Sequence, residues 1–133
     1  MDKEDTEKII RRIDLGITDI VITGSGKDLA IIKMDLGKEL SNHGFDVSTL
    51  DLEHPPLEFE IEYDKGFLFV WGLEHLDALD SRSFALRTFL DTEKHRGLRF
   101  VIFCEQDSYS NHFHNDRAPF YLFCSEYQLK ALN

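Results

Sequence analysis

The sequence predicts an α/β fold, with helices on both faces of a mostly parallel central sheet of about five strands, in a three-layer α/β/α arrangement. Residues 67–73 and 98–104 are nearly continuous runs of large apolar side chains, the pattern of strands that are buried on both faces. Residues 27–42 place apolar side chains at three- and four-residue spacing, which predicts an amphipathic helix. Strands that alternate with helices of this length favour right-handed, parallel connections.

The first half of the chain has a clear order of elements. Ile9 and Ile13 mark a short helix that Gly16 can end, and Gly44 is placed to end the longer helix in the left-handed conformation. The segment L-E-F-E-I-E-Y alternates strictly, which predicts an exposed strand at a sheet edge. The predicted elements are a helix at 6–14, a strand at 17–23, a helix at 27–42, and strands at 45–52 and 57–63.

The second half begins with the apolar strand that runs into Gly72. Asp80 or Ser81 can cap the next helix, and Gly97 can end it. The polar stretch at 105–119 predicts irregular structure. The predicted elements are a strand at 67–73, a helix from 80 or 81 to about 96, strands at 98–104 and 120–124, and a terminal helical turn capped by Ser125.

Length and composition predict one domain over residues 1–133. The chain is 42% hydrophobic and has 11 Phe, which argues against disorder. The charged start of the chain is unlike a secretory signal, and no apolar run approaches the roughly 20 residues that span a bilayer. The two cysteines, Cys104 and Cys124, lie in apolar runs, as buried free thiols do. A cytoplasmic location is therefore expected.

The charge balance narrows the choice of partners. The chain has 15 basic and 25 acidic residues, a net charge of −10. Such a field repels nucleic acid phosphates and anionic membranes, so neither is expected as a partner. It favours a basic protein partner, or serves solubility alone.

The order of elements resembles that of a known family. A strand leads through the turn Gly24-Ser25-Gly26-Lys27 into a helix; later come an apolar strand followed by Trp71-Gly-Leu-Glu-His-Leu76, a helix at 83–90 and a strand at 98–103. Over residues 17–104 this resembles the core of P-loop NTPases, most closely the AAA+ and STAND-type branches, in which the apolar strand ends in D-G-L-D-E-L or a close variant. The resemblance implies a nucleotide site at the Gly24–Lys27 turn.

The chain departs from that family where the chemistry requires the motif. The glycine turn is too short for G-x-x-x-x-G-K-[ST], Asp28 replaces the hydroxyl that would bind magnesium, and Trp71 replaces the metal-directing acid. Positioning and charge neutralisation carry most of phosphoryl-transfer catalysis, so we expect no ATP hydrolysis and no cofactor. The turn formed by Gly24, Ser25, Gly26 and Lys27 is then either a structural connection or a residual anion site at a helix N-terminus.

One segment has the spacing of a metal site. His112, His114 and Asp116 alternate, and on an extended segment they would point the same way. Further ligands would have to come from His75, Glu74 or Glu105. The alternative is a solvated polar loop around a buried Phe113.

Two acidic groups are candidate partner-binding residues. Glu74 and His75, with Asp77, follow the central strand, where ligand crevices of α/β sheets form. A Glu–His pair is suited to acid–base work, or to a pairing of His75 with Cys104, although a buried structural Cys104 is favoured. Glu58, Glu60 and Glu62, with Tyr63, would form an acidic strip on the predicted edge strand.

These patterns predict a non-catalytic protein-binding or regulatory module, such as an adaptor, an inhibitor or an immunity-like factor, with a homodimer as a further expectation. Its expected partner surface comprises Glu58, Glu60, Glu62, Tyr63, Glu74 and His75. Two alternatives remain open. One is a nucleotide-binding or hydrolytic enzyme with a rearranged pocket around Lys27, Glu74 and His75; the other is a metal-dependent activity at His112 and His114.

Overall fold

The computed structural model describes residues 3–17, 19–56, 58–59, 66–121 and 123–130, and within them helices and strands alternate except where the second described strand is followed by the third. A 3₁₀ turn, Leu73–His75, follows the third described strand. The elements are α1 (Lys3–Asp14), β1 (Asp19–Gly24), α2 (Gly26–Asn42), β2 (Val47–Asp51), β3 (Phe67–Trp71), α3 (Ser81–His95), β4 (Arg99–Glu105), α4 (Gln106–Phe113) and β5 (Ser125–Gln128).

The five described strands form one parallel sheet in the order β2-β3-β4-β1-β5. The chain therefore crosses three positions from β1 to the β2 edge, returns through β3 to β4, and then passes over β1 to reach β5. Parallel pairing brings the carboxyl ends of all five strands to one end of the sheet, which we call the carboxyl end. The opposite end is the amino end.

Two helices cover each face of the sheet. Ile9 of α1 and Ile32 of α2 belong to the core cluster on one face, and Leu86 of α3 and Phe113 of α4 belong to the cluster on the other. The connections from β1 and from β3 and β4 run in opposite directions along the sheet. Because crossovers between parallel strands are right-handed, connections that run in opposite directions must place their helices on opposite faces of the sheet. The predicted three-layer α/β/α fold with a parallel sheet is confirmed.

Aromatic side chains fill both cores. The register pairs Phe69 with Val101 and Trp71 with Phe103, so apolar rings of neighbouring strands lie side by side on the α2 face. Phe69 and Phe103 meet edge to face with centroids 5.1 Å apart. The fully buried phenylalanines are Phe67, Phe69, Phe100, Phe103 and Phe120. None of the described helices has the length and apolar content that crossing a membrane requires.

The prediction is wrong at the end of the chain. Residues 106–113, expected to be irregular, form α4, because Tyr109, His112 and Phe113 make a buried stripe at helical spacing. In the predicted strand at 120–124, Phe120 and Tyr121 lie in a turn and Phe123 and Cys124 belong to no strand, while Ser125 begins β5 rather than capping a helix. This edge strand buries only Tyr127, so its sequence lacks an apolar run.

The predicted edge strand at 57–63 falls mostly outside the described residues, and so do Glu60, Glu62 and Tyr63. Glu58 and Phe59 are described and belong to no strand. Phe59 packs beside Phe89 of α3, with ring centroids 5.9 Å apart. Glu58 is exposed and lines a groove against the same helix.

Candidate functional site at the carboxyl end of the sheet

The strand order places a crevice between β1 and β4. The chain leaves β1 and β4 in opposite directions along the sheet. The helices that follow these two strands, α2 and α4, lie on opposite faces. Ligands of open α/β sheets bind beyond the carboxyl ends of the strands at such a point. The loops that meet there are residues 24–26 after β1, residues 72–80 after β3, and the junction of β4 with α4.

The turn after β1 is a capped connection. Ser25 is the N-cap of α2, and its side chain accepts a hydrogen bond from the Asp28 amide at 3.2 Å. The Glu105 carboxylate lies over this turn, because a Cβ built on Gly26 would be 2.6 Å from its Oε1. The cavity here, of about 290 Å³, is lined by Glu105 and Asp107 together with the turn. Two carboxylates thus face the helix N-terminus where an anion would bind.

Lys27 is exposed on this turn and does not belong to the residues that line the small cavity. The anion site at Gly24, Ser25, Gly26 and Lys27 stays a prediction. Its surroundings are acidic, so an incoming phosphate would meet like charge.

Trp71 fills space beside β4. Its ring packs against Phe103, with centroids 5.6 Å apart, and the ammonium of Lys33 lies 5.6 Å from the indole centroid. The side chain is half-buried against the core cluster of the α2 face. The indole thus packs between the Phe103 ring and the Lys33 ammonium at the carboxyl end of β3.

A tight turn after β3 positions the predicted Glu74–His75 pair. Gly72 has φ of +86°, a conformation that side chains disfavour, and a Cβ there would be 3.0 Å from the His75 ring. Leu73 and Leu76 are buried in the core and anchor the 3₁₀ turn on both sides. The polar residues between and after them are consequently held at the surface of the carboxyl end.

α4 forms the opposite wall. Tyr109 and Phe113 stack with centroids 5.0 Å apart and are buried against the sheet. His112 is 2% exposed, and its ring meets Phe120 edge to face at 6.3 Å. Burial of these three side chains fixes the rotation of the helix, so that its polar side faces the loop after β3.

Between these walls is a cleft of about 380 Å³, which we call the polar cleft. It brings together two groups that the sequence suggested separately, the Glu74–His75 pair and His112. It is lined by Glu74, His75, Leu76, Asp77, Ala78, Leu79, Ser108, Asn111, His112 and Asn115. Lys27 does not line it, so the pocket around Lys27, Glu74 and His75 required by the enzyme alternative is not formed there.

Burial keeps His112 in its neutral form. It lowers the pKa of the ring below the ordinary value of 6.5, and the backbones of Leu76 and Leu73 and the charge of Asp77 offset this effect in part. Nδ1 of His112 is buried and has no hydrogen-bond partner. The Asp77 carboxylate is already engaged, since it accepts from the Leu79 amide at 3.0 Å.

Glu74 lies between the cleft and the core. Its Oε2 is buried without a hydrogen-bond partner. Burial raises the pKa of the Cys104 thiol to about 12, and the charges of Glu74 and Glu105 add to the increase. Cys104 is a free, buried thiol that stays protonated at neutral pH, which argues against a Cys104–His75 nucleophile pair.

The residues of the predicted metal site do not converge. The expectation of an extended segment is wrong, because His112 is buried in the last turn of α4 while His114 is the C-cap of that helix, with its ring 4.9 Å from the Tyr109 ring between centroids. Asp116 lies in the following turn. Within the described residues, no group of three or more His, Cys, Asp or Glu side chains could hold a metal ion.

Sequence reasoning missed Ser108, Asn111 and Asn115 as cleft residues. They became visible only with α4, whose signal was the spacing of Tyr109, His112 and Phe113. The chain matches no protein-family model, no curated protein and no solved structure.

Proposed function

We propose that this protein is a non-catalytic, acidic protein-binding module of the cytoplasm, which docks a partner with basic side chains on the carboxyl end of its sheet. Regulatory subunit, adaptor, inhibitor and immunity-like factor are the roles that such a module fits. The observation that carries the proposal is the Glu105 carboxylate over the glycine turn, where the resembled family would hold a phosphate. A homodimer remains a prediction.

Electrostatics at the turn argues against a nucleotide. Glu105 and Asp107 line the cavity beside Gly26, and Asp28 follows within the first turn of α2. A magnesium triphosphate would need cationic and hydroxyl ligands here, and at the position of the metal-directing acid of the resembled family this chain has Trp71, whose ring packs against Phe103. The site therefore repels the ligand that a P-loop enzyme must bind.

The same charges favour a basic partner. The net charge of −10 draws cations over long range, and carboxylates surround the crevice that shapes the carboxyl end. Acidic residues in or beside the loops at this end are Asp28, Asp51, Glu53, Glu74, Asp77, Asp80, Glu105 and Asp107. Electrostatic complementarity of this kind sets partner choice and association rate.

A pair of matched triple variants tests the proposal. The carboxyl-end variant removes three negative charges at Glu53→Gln, Glu105→Gln and Asp107→Asn. The control removes three from exposed residues at the amino end, at Asp14→Asn, Glu39→Gln and Asp46→Asn. In affinity capture from the native host followed by mass spectrometry, we expect a basic partner that binds wild type and the control, and that is lost from the carboxyl-end variant and at high salt.

Nucleotide binding is the competing result. A ligand at a hundred times its dissociation constant stabilises a protein by about 2.7 kcal/mol, which a thermal shift detects. We expect no shift with ATP, GTP and magnesium. Saturable stabilisation by a nucleotide, or a partner that both triple variants retain equally, would contradict the proposal.

A further inference from the structure

Two residues that line the polar cleft, Glu74 and His112, each have a buried polar atom without a hydrogen-bond partner. His112 is 2% exposed and its Nδ1 has no partner, and the Oε2 of Glu74 is buried and unpaired as well. A buried polar group without a partner destabilises the folded state, and proteins pair nearly all such groups. Two such atoms on residues that line one cleft point to a ligand that supplies the missing hydrogen bonds.

The side chains of the cleft define the charge of that ligand. A carboxylate such as Glu74 only accepts hydrogen bonds, and it pairs best with a charged donor. Asp77 adds a second negative charge. His112 is held neutral by burial, so its ring does not neutralise the charges of the two carboxylates. Ser108 and Asn111 offer further oxygen acceptors on the α4 wall. The site therefore calls for a cation with several N–H donors.

We propose that the polar cleft binds a guanidinium group. A guanidinium is planar, carries five N–H donors and is weakly hydrated, so it can donate hydrogen bonds to Glu74, His112 and the α4 acceptors together. An ammonium group has three donors and is strongly hydrated. The cavity of about 380 Å³ has room for the group with an alkyl chain. A metal ion is disfavoured, since the described residues offer no suitable ligand group.

Two sources share this chemistry. One is an arginine side chain of the basic protein partner, and in that case the inference rests on the proposed function. The other is a free small molecule with a guanidinium end, which requires no partner.

The test is a titration of the full chain labelled with ¹⁵N, followed by amide chemical shifts. The probes are methylguanidinium, agmatine as a free small molecule, and a capped Gly-Arg-Gly peptide as the protein source; methylurea and methylammonium are the controls. We expect saturable shifts with methylguanidinium, centred on residues 74–79 and 108–115. Tighter binding of the peptide than of agmatine assigns the site to a partner, and the reverse order assigns it to a metabolite.

Variants distinguish binding in the polar cleft from non-specific attraction of a cation to the acidic surface. Glu74→Gln keeps the shape and removes the charge, and it should weaken methylguanidinium binding by about tenfold or more. Glu39→Gln removes the same charge at the exposed far end of α2 and should leave binding unchanged. Asn111→Ala, at an exposed position, should weaken binding without unfolding the chain.

Three results would overturn the inference: no saturable shifts with methylguanidinium, equal binding of methylurea or methylammonium, or equal losses in Glu74→Gln and Glu39→Gln. These results would leave the proposed function standing if the triple variants still separate in partner capture. Conversely, guanidinium binding without any captured partner would overturn the proposed function and retain the site.

Discussion

His112 links the stability of the protein to pH, because a titratable ring lies in the interior. Burial lowers its pKa below 6.5 in the folded chain. In the unfolded chain the ring regains its ordinary pKa and binds a proton more readily. Below pH 6.5 the unfolded state therefore holds more protons than the folded state, and acid favours unfolding.

We expect the free energy of unfolding to fall as the pH is lowered from 7.5 through 6.5, by at most about 1.4 kcal/mol per pH unit from this group, and to level off below the lowered pKa. Urea unfolding at a series of pH values measures it. His112→Gln should remove this part of the pH dependence, whereas His54→Gln, at an exposed position, should keep it. An identical profile in wild type and His112→Gln would contradict the assignment.

Among the elements, α3 fixes one wall of the polar cleft through its first turn. Asp80 is the N-cap, and its Oδ1 accepts from the Arg82 amide at 2.8 Å. The Asp80 amide and the Ser83 hydroxyl both donate to the Asp77 carbonyl, at 3.1 and 2.7 Å. The start of the helix and the loop that carries Asp77 are thus one hydrogen-bonded unit.

Asp80→Ala should lower the free energy of unfolding by about 1 kcal/mol, since an orphan amide of α3 loses its acceptor. Asp80→Asn keeps an oxygen at the same place and should cost only a few tenths of that. Chemical denaturation gives both values. Equal losses in the two variants would show that the charge of Asp80, rather than its cap hydrogen bond, stabilises the helix.

For the molecule as a whole, the two thiols report on global unfolding. Burial raises the pKa of Cys104 from 9.0 to about 12, which lowers its thiolate fraction about a thousandfold. Cys124 is partly accessible, yet burial of its thiol raises its pKa as well. Both thiols therefore stay protonated, and so unreactive, while the three layers remain packed.

Labelling with an aromatic disulfide reagent at pH 8 should be at least about tenfold slower for the native protein than for the chain in denaturant. Cys124→Ser isolates Cys104, whose labelling rate should follow the population of the open state. Fast labelling of Cys104 in the native Cys124→Ser variant would contradict a buried, protonated thiol.

The sequence alone predicted the elements whose buried faces produce a local pattern of apolar residues. The apolar runs predicted β3 and β4, because a strand covered on both faces must be apolar at every position. The stripe Leu29, Ile32, Leu36 and Leu40 predicted α2, and Asp80 and Gly97 marked the ends of α3. It also placed Glu74 and His75 correctly at the carboxyl end of a central strand.

Only the tertiary structure decided α4, β5 and the polar cleft. A helix with a polar surface and an edge strand that buries one side chain carry little local signal, and their stability comes from packing on a sheet that the rest of the chain builds. The cleft joins Glu74 to His112 across the strand order β3-β4. Hydrophobic periodicity reports which face of an element is buried, and it contains no information on which distant element lies against it.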